Sequence, residues 1–416
     1  MENAIKDWRG RSYRPGPVPA DRTRMFRLAL AAMAAISPLQ YGYAALHARH
    51  ASGLTLLAIW IACQAAGALP ALHLVRRRRL SVRACLAAGA ALSGLGLLAA
   101  GLTPAGAPAL IGYAVLGGLG AGLVYGVCGE VVSSWYPERP AARVGLITGA
   151  FGYGAVPLLL WAGIAPGTTS AAFLVCAALA AAVIATAARH LRLPPAQWWP
   201  DDVDPRTHAL DAARLRTSPE AVKQFGLAQA LRTRTLPALA LMLVCAGAVS
   251  VFDVIAVAST GAWGALALLV ALNGAGRSVA MRAADLYGRR RVLAAVFSAL
   301  AAGQVLLAVA VQDAPEAAAG SPLLWLGAVA AGLGGGAFYP LLASLVRELF
   351  GTERATEIHA VVYSAKAVAG GLAVALALTA LTAPGAALLA AAALAALPAL
   401  ATPRLRIPGL PATIPL

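Results

Sequence analysis

Residues 118–126 read GLGAGLVYG, and residues 332–340 read GLGGGAFYP, 214 positions further on. Both stretches lie inside long apolar runs. Glycines this dense strip bulk from a helix and let a neighbouring backbone come close. The arginine run Arg76–Arg79 is echoed by Arg289–Arg291 at nearly the same separation. Two features repeated at one spacing predict a chain built as two similar halves.

Working outward from the repeat, apolar runs long enough to cross a hydrocarbon core occupy about 25–46, 52–75, 82–102, 108–132, 143–164 and 168–188. A second set occupies about 235–258, 261–282, 292–311, 322–346, 358–382 and 384–401. Residues 60% hydrophobic and only 12% charged suit a bilayer rather than water. Only helices and closed barrels satisfy their backbone in lipid, and continuous rather than alternating runs select helices. The expected fold class is all-α integral membrane, with twelve transmembrane helices in two pseudo-symmetric six-helix halves. The expected boundaries are a disordered cytosolic N-terminus (1–24), a first half (25–188), a cytosolic central loop (189–234), a second half (235–401) and a cytosolic tail (402–416).

A formal net charge of +16 raises the question of nucleic acid, but the placement of the charge answers it. Thirty of the 33 Lys and Arg residues fall in loops on one side of the runs, and only Arg49 falls in a loop on the other. That asymmetry orients a membrane protein, with both termini cytosolic. It predicts a multi-pass protein of the bacterial inner membrane that binds no nucleic acid. No apolar segment precedes residue 25, so no cleavable leader is expected. The five cysteines (Cys63, Cys85, Cys128, Cys176 and Cys245) lie inside apolar runs with no metal-ligand spacing. No metal, cofactor, nucleotide loop or catalytic constellation is expected, which argues against an enzyme.

The two remaining cations decide the chemistry. Arg277 lies eight residues before Asp285, which marks the loop after the eighth run. Lys366 lies eight residues after Ile358, where the eleventh run begins. At 1.5 Å per residue each sits about 12 Å into the membrane. A cation near the bilayer centre costs about 2.5–3.5 kcal/mol on insertion scales. Snorkelling to the headgroups or pairing with a resident acid could offset that cost, and so could an anionic ligand held between the two. The acids inside the runs are Glu130, near the inner end of the fourth, and Asp253, toward the outer end of the seventh. Neither lies at the depth of the cations, so a bound anion is the expected partner. Arg grips a carboxylate with two parallel bonds, and Lys adds a point charge. Asp253 and Glu130 are instead candidates for carrying a proton.

Aromatic side chains are candidates to complete a box around a small planar anion. They are Tyr41 and Tyr43 on the first run, Trp60 on the second, Tyr125 on the fourth and Tyr153 on the fifth. Phe338 and Tyr339 on the tenth and Tyr363 on the eleventh join them. Tyr363 shares a helical face with Lys366, and Asn273 shares one with Arg277.

Several stretches now carry a family likeness. RAADLYGRRR (282–291) resembles the loop of the major facilitator superfamily, through Asp285, Gly288, Arg289 and Arg290. The Gly usual four positions before the Asp is Met281, and the loop after the second run keeps its arginines without the Asp. Within that superfamily the chain resembles the oxalate:formate antiporter group. The likeness rests on residues 118–154, NGAGR (273–277), residues 334–353 and VVYSAKAVAG (361–370). It implies a carrier of small carboxylates, often working by exchange, with Arg277 and Lys366 on the substrate's carboxylates and 282–291 as a gating loop; the chain is expected to act as a monomer. A proton-coupled monocarboxylate symporter and a drug exporter are the alternative expectations.

Overall fold

Apolar runs free of charge become helices here, and proline decides where they start and bend. The computed structural model describes residues 4–7, 10–48, 50–103, 105–211, 215, 219, 221–312 and 317–409. Arg49, and residues 410–416 of the expected tail, lie outside the described residues. Helix α1 runs through Arg22–Ala35, loosens into a π-helical turn at Pro38–Gly42, and ends with Tyr43–Leu46. Pro38 has no amide hydrogen to close the regular ladder, and the wider turn absorbs that loss. Helices α2 (Ala51–Val75), α3 (Val82–Leu102), α4 (Gly106–Trp135), α5 (Pro140–Ile164) and α6 (Pro166–His190) complete the first half. The second half holds α7 (Thr235–Ser259), α8 (Trp263–Tyr287), α9 (Arg289–Ala310), α10 (Pro322–Phe350), α11 (Ala355–Ala380) and α12 (Pro384–Arg404). Pro140, Pro322 and Pro384 each stand in the first turn of their helix, where a missing donor costs nothing. Among the described residues, eleven helices are long and apolar enough to cross a membrane, and the broken α1 makes the twelfth. The protein is a multi-pass membrane protein.

The quoted glycine repeat does the same packing work in each half. A Cβ on Gly118 would come within 2.7 Å of the Trp60 carbonyl oxygen on α2, and one on Gly332 within 2.6 Å of the Leu269 carbonyl on α8. Two residues on, a Cβ on Gly120 would meet the Ser93 nitrogen of α3 at 2.6 Å, and one on Gly334 the Leu300 nitrogen of α9 at 2.7 Å. Helix α4 therefore wedges against α2 and α3 as α10 wedges against α8 and α9. The halves meet along two seams, α5 against α8 and α2 against α11.

The N-terminal segment differs from expectation. Residues expected to be disordered pair as strands: β1 (Ile5–Lys6) antiparallel to β2 (Ser12–Gly16), and β2 parallel to β3 (Trp198–Pro200) of the central loop. The cause is aromatic. Trp198 packs edge-on against Trp135 at 4.9 Å, and Tyr13 against Trp199 at 5.0 Å. Reading the segment as merely proline- and arginine-rich overlooks those anchors. The central loop is tied to the second half as well, where Gln224 accepts from the amides of Thr352 and Glu353 at 2.9 and 3.2 Å.

The arginine-bearing face carries ionic ties. Arg77 after α2 pairs with Glu357 of α11 at 2.5 Å, joining the halves, and Arg76 donates to the Thr356 hydroxyl beside it. In the expected gating loop, Gly288 adopts φ +85°, a conformation that glycine takes without strain, and so turns α8 directly into α9. Arg289 is buried, bonds the Ser344 hydroxyl and lies 3.7 Å from both Asp285 and Glu348. Arg290 donates to the Leu405 carbonyl at 3.0 Å. A cavity of about 1420 Å³ opens on this face, with Arg76, Glu130, Arg282, Arg289 and Arg347 among its lining.

Candidate functional site

Local breaks in the helices present the central side chains. The π-helical turn of α1 carries Gln40 and Tyr41. Helix α11 tightens at Ala365, whose amide bonds back to the Val362 carbonyl at 3.2 Å, and Lys366 follows immediately. Non-standard turns of this kind mark functional places in helices.

Arg277 is 2% exposed and Lys366 4%. Arg277 Nη1 donates to the Thr148 carbonyl of α5 at 2.8 Å. Its Nη2 donates to Asn273 Oδ1 at 3.1 Å and to the Tyr41 hydroxyl at 3.5 Å. Tyr41 in turn donates to Asn273 Oδ1 at 3.1 Å, and Asn273 Nδ2 donates to the Ser250 hydroxyl of α7 at 3.1 Å. Lys366 donates to Gln40 Oε1 at 3.1 Å and to Gln64 Oε1 of α2. Every one of these acceptors is neutral. Among the described residues, no carboxylate pairs with either cation.

Two rings stand beside both charges. Phe151 lies 6.0 Å from the Arg277 guanidinium and 5.7 Å from Lys366 Nζ, and Tyr339 lies 5.3 and 5.7 Å from the same two groups. Tyr363 is 5.9 Å from Lys366 and stacks on Tyr125 at 5.5 Å. Tyr41 closes the box against Phe151 at 5.5 Å. Tyr125 and Tyr339 occupy equivalent places in the quoted repeat, so each half contributes one tyrosine from the same motif. Cation–π contact contributes about 0.5–2 kcal/mol and a hydrogen bond to a charged group about 1.5–3. Such dipoles hold two cations in place but supply no countercharge. Arg277 Nε and Gln64 Nε2 are buried donors with no hydrogen-bond partner among the described residues. The cluster is therefore rich in positive charge and in donors still free to bond.

Several expected site residues meet here: Arg277, Lys366, Asn273, Tyr41, Tyr125, Tyr339 and Tyr363. Trp60, one helical turn before Gln64 on α2, stacks on Tyr113 at 6.3 Å, and no contact ties it to either cation among the described residues. Tyr153 does not join them. It is 41% exposed, and its ring lies over Gly274 at the α5–α8 seam. Two residues turn a helix by about 200°, so Phe151 faces the box and Tyr153 faces away. Glu130 accepts from the Ser134 hydroxyl at 3.3 Å and lines the cavity on the basic face. Asp253 pairs with Gln304 of α9. Gln40, Gln64, Phe151 and Thr148 are additional to the expected set. The two glutamines carried a signal, since an amide inside an apolar run needs a partner.

Comparison with known proteins agrees with this architecture. No family model matches the chain. A crystal structure of the nucleoside transporter NupG superposes with a TM-score of 0.63 at 13% identity, over 92% of this chain and 99% of that one. A POT family transporter in complex with 5-aminolevulinic acid superposes with a TM-score of 0.61 at 11% identity, over 92% and 96%. The fold is that of the major facilitator-type membrane transporters. Within that fold, the chain belongs to the family of the uncharacterised 38 kDa protein in the 23S RNA operon of Thermoproteus tenax. The two are 30% identical over 295 residues, 69% of this chain and 67% of that one.

Proposed function

We propose that this protein is a secondary transporter of small organic anions, dicarboxylates above all, working by alternating access. The observation that carries the reading is the pair of buried, uncompensated cations at Arg277 and Lys366, flanking the same two rings and reached by Gln40, Gln64 and Thr148 from the other half. A substrate with two carboxylates supplies both missing charges and accepts from the free donors. It also bridges the halves, which favours their closing together.

The empty carrier has no such help. Closing over two desolvated like charges is penalised, so exchange of one anion for another runs faster than return of the empty form. This matches the exchange implied by the likeness to the oxalate:formate antiporter group. A cationic drug would meet two repelling charges, which disfavours an exporter of such compounds. The arginine-bearing face is the cytosolic one of a bacterial inner membrane, with both termini on that side and the chain acting as a monomer.

The test is a thermal-shift screen of oxalate, malonate, succinate and formate on the purified protein, repeated on Arg277→Gln and Lys366→Gln. Stabilisation of the wild type by a carboxylate, absent in both variants, supports the reading. Equal stabilisation of all three proteins overturns it.

A further inference from the structure

Asp253 lies inside α7 at 1% exposure, and Gln304 inside α9 at 0%. Gln304 Nε2 donates to Asp253 Oδ1 at 2.6 Å. The other oxygens of the pair, Asp253 Oδ2 and Gln304 Oε1, are both buried and both without a hydrogen-bond partner. Each is an acceptor while the carboxylate is ionised, so neither can satisfy the other. A single proton on Oδ2 resolves both: the acid O–H then donates to the amide oxygen while the amide N–H donates to Oδ1.

Among the described residues, nothing else around the pair does this. Helices α8, α10, α11, α12 and the end of α1 pack against α7. Their charged and titratable groups away from the basic face are Arg277, Tyr339, Tyr363, Lys366 and Tyr43. None of them bonds to Asp253, whose polar partner among the described residues is Gln304. A metal ion is the poorer occupant. Hard cations take six or more oxygens, and among the described residues no group of three or more His, Cys, Asp or Glu could hold one.

The pair is also connected to the central cluster. Ser250 sits one helical turn from Asp253 on α7 and accepts from Asn273 at 3.1 Å, and Asn273 Oδ1 accepts from Arg277 at 3.1 Å. We propose that Asp253 and Gln304 form a proton-binding site, and that the Ser250–Asn273 bridge makes its occupancy felt at Arg277. Proton uptake converts the carboxylate to the neutral acid closed on Gln304. Release to water leaves an ionised group that requires hydration, and α7 shifts to provide it, moving Ser250 relative to Asn273. Proton binding stands whichever anion fills the cluster, while its bearing on transport rests on the function proposed above.

Infrared difference spectroscopy of the purified wild type across a pH series, without any added anion, tests this. The expected result is one carboxylic acid C=O band that titrates reversibly, disappears in Asp253→Asn and moves in frequency in Asp253→Glu. Replacing the bridge with Asn273→Ala shifts the titration midpoint. The glutamate variant keeps an acid at the site and so reads out even where the asparagine variant folds poorly. A band that survives in Asp253→Asn and is unmoved in Asp253→Glu, or a wild type with no titrating acid band, overturns the proton site. An unchanged midpoint in Asn273→Ala overturns the link. The anion reading is judged separately, by the carboxylate screen.

Discussion

The Arg277 guanidinium, carried by the second half, donates to the Thr148 carbonyl of the first half at 2.8 Å, so a buried cation of the central cluster also ties the halves together. Lys366 repeats the arrangement through Gln40 and Gln64. On the function proposed above, substrate binding and closure of the halves draw on the same donors.

This dual use makes Arg277→Lys informative. The ammonium keeps the charge but cannot grip a carboxylate with a planar fork while also holding Thr148 and Asn273. Loss of a buried charge-assisted contact costs about 3 kcal/mol, so carboxylate affinity should fall roughly a hundredfold. Titration calorimetry with the carboxylate found in the screen measures it. An affinity within a few-fold of wild type would remove Arg277 from the site.

Lys366→Gln should separate ligands by charge number. A dicarboxylate loses its second counterion, while a monocarboxylate seated on Arg277 keeps its own. The expected outcome is a dicarboxylate affinity loss at least about tenfold larger than the loss for formate, corresponding to about 1.4 kcal/mol or more. Competition between labelled dicarboxylate and formate reports the ratio. Equal losses would mean that the lysine does not meet the second carboxylate.

The glycine wedges predict matched destabilisation. Gly120→Ala and Gly334→Ala each place a methyl within 3 Å of backbone on the neighbouring helix. Overpacking of this kind costs about 1–3 kcal/mol. Thermal unfolding in detergent should show similar drops in Tm for both variants and none for Gly371→Ala, where a Cβ meets nothing within 4 Å. A drop in only one of the pair would break the equivalence of the halves.

The Arg77–Glu357 tie is part-exposed, with side-chain exposures of 46% and 19%, so its contribution is modest, about 0.5–1 kcal/mol. Arg77→Glu should still favour separation of the halves on the basic face, and the swap with Glu357→Arg should restore their closure. Labelling rates of a cysteine introduced at Ser278, which lines the cavity there, read the effect. A swap that labels as fast as the single variant would show that this pair does not hold the face closed.

How much of this was legible beforehand differs from one element to another. The repeat at 118–126 and 332–340 announced the two halves, and it placed Tyr125 and Tyr339 in equivalent positions, because packing glycines and the residues beside them are local in the chain. Arg277 and Lys366 stood out because a charge in an apolar run is conspicuous without any knowledge of its neighbours. Phe151 was passed over for Tyr153 because the direction a side chain takes around a helix depends on which helices surround it. Gln64 and Gln304 were visible as polar residues in apolar runs, but their partners lie 302 and 51 residues away.

The sequence by itself determined the twelve spans and their grouping into halves, and it singled out the two cations, since hydropathy and charge placement act along the chain. The tertiary structure decided that both cations flank the same rings, that neutral partners hold them among the described residues, and that Asp253 closes on Gln304 instead of pairing with either. Those relations come from how helices rotate and cross, and that is settled by packing between segments hundreds of residues apart.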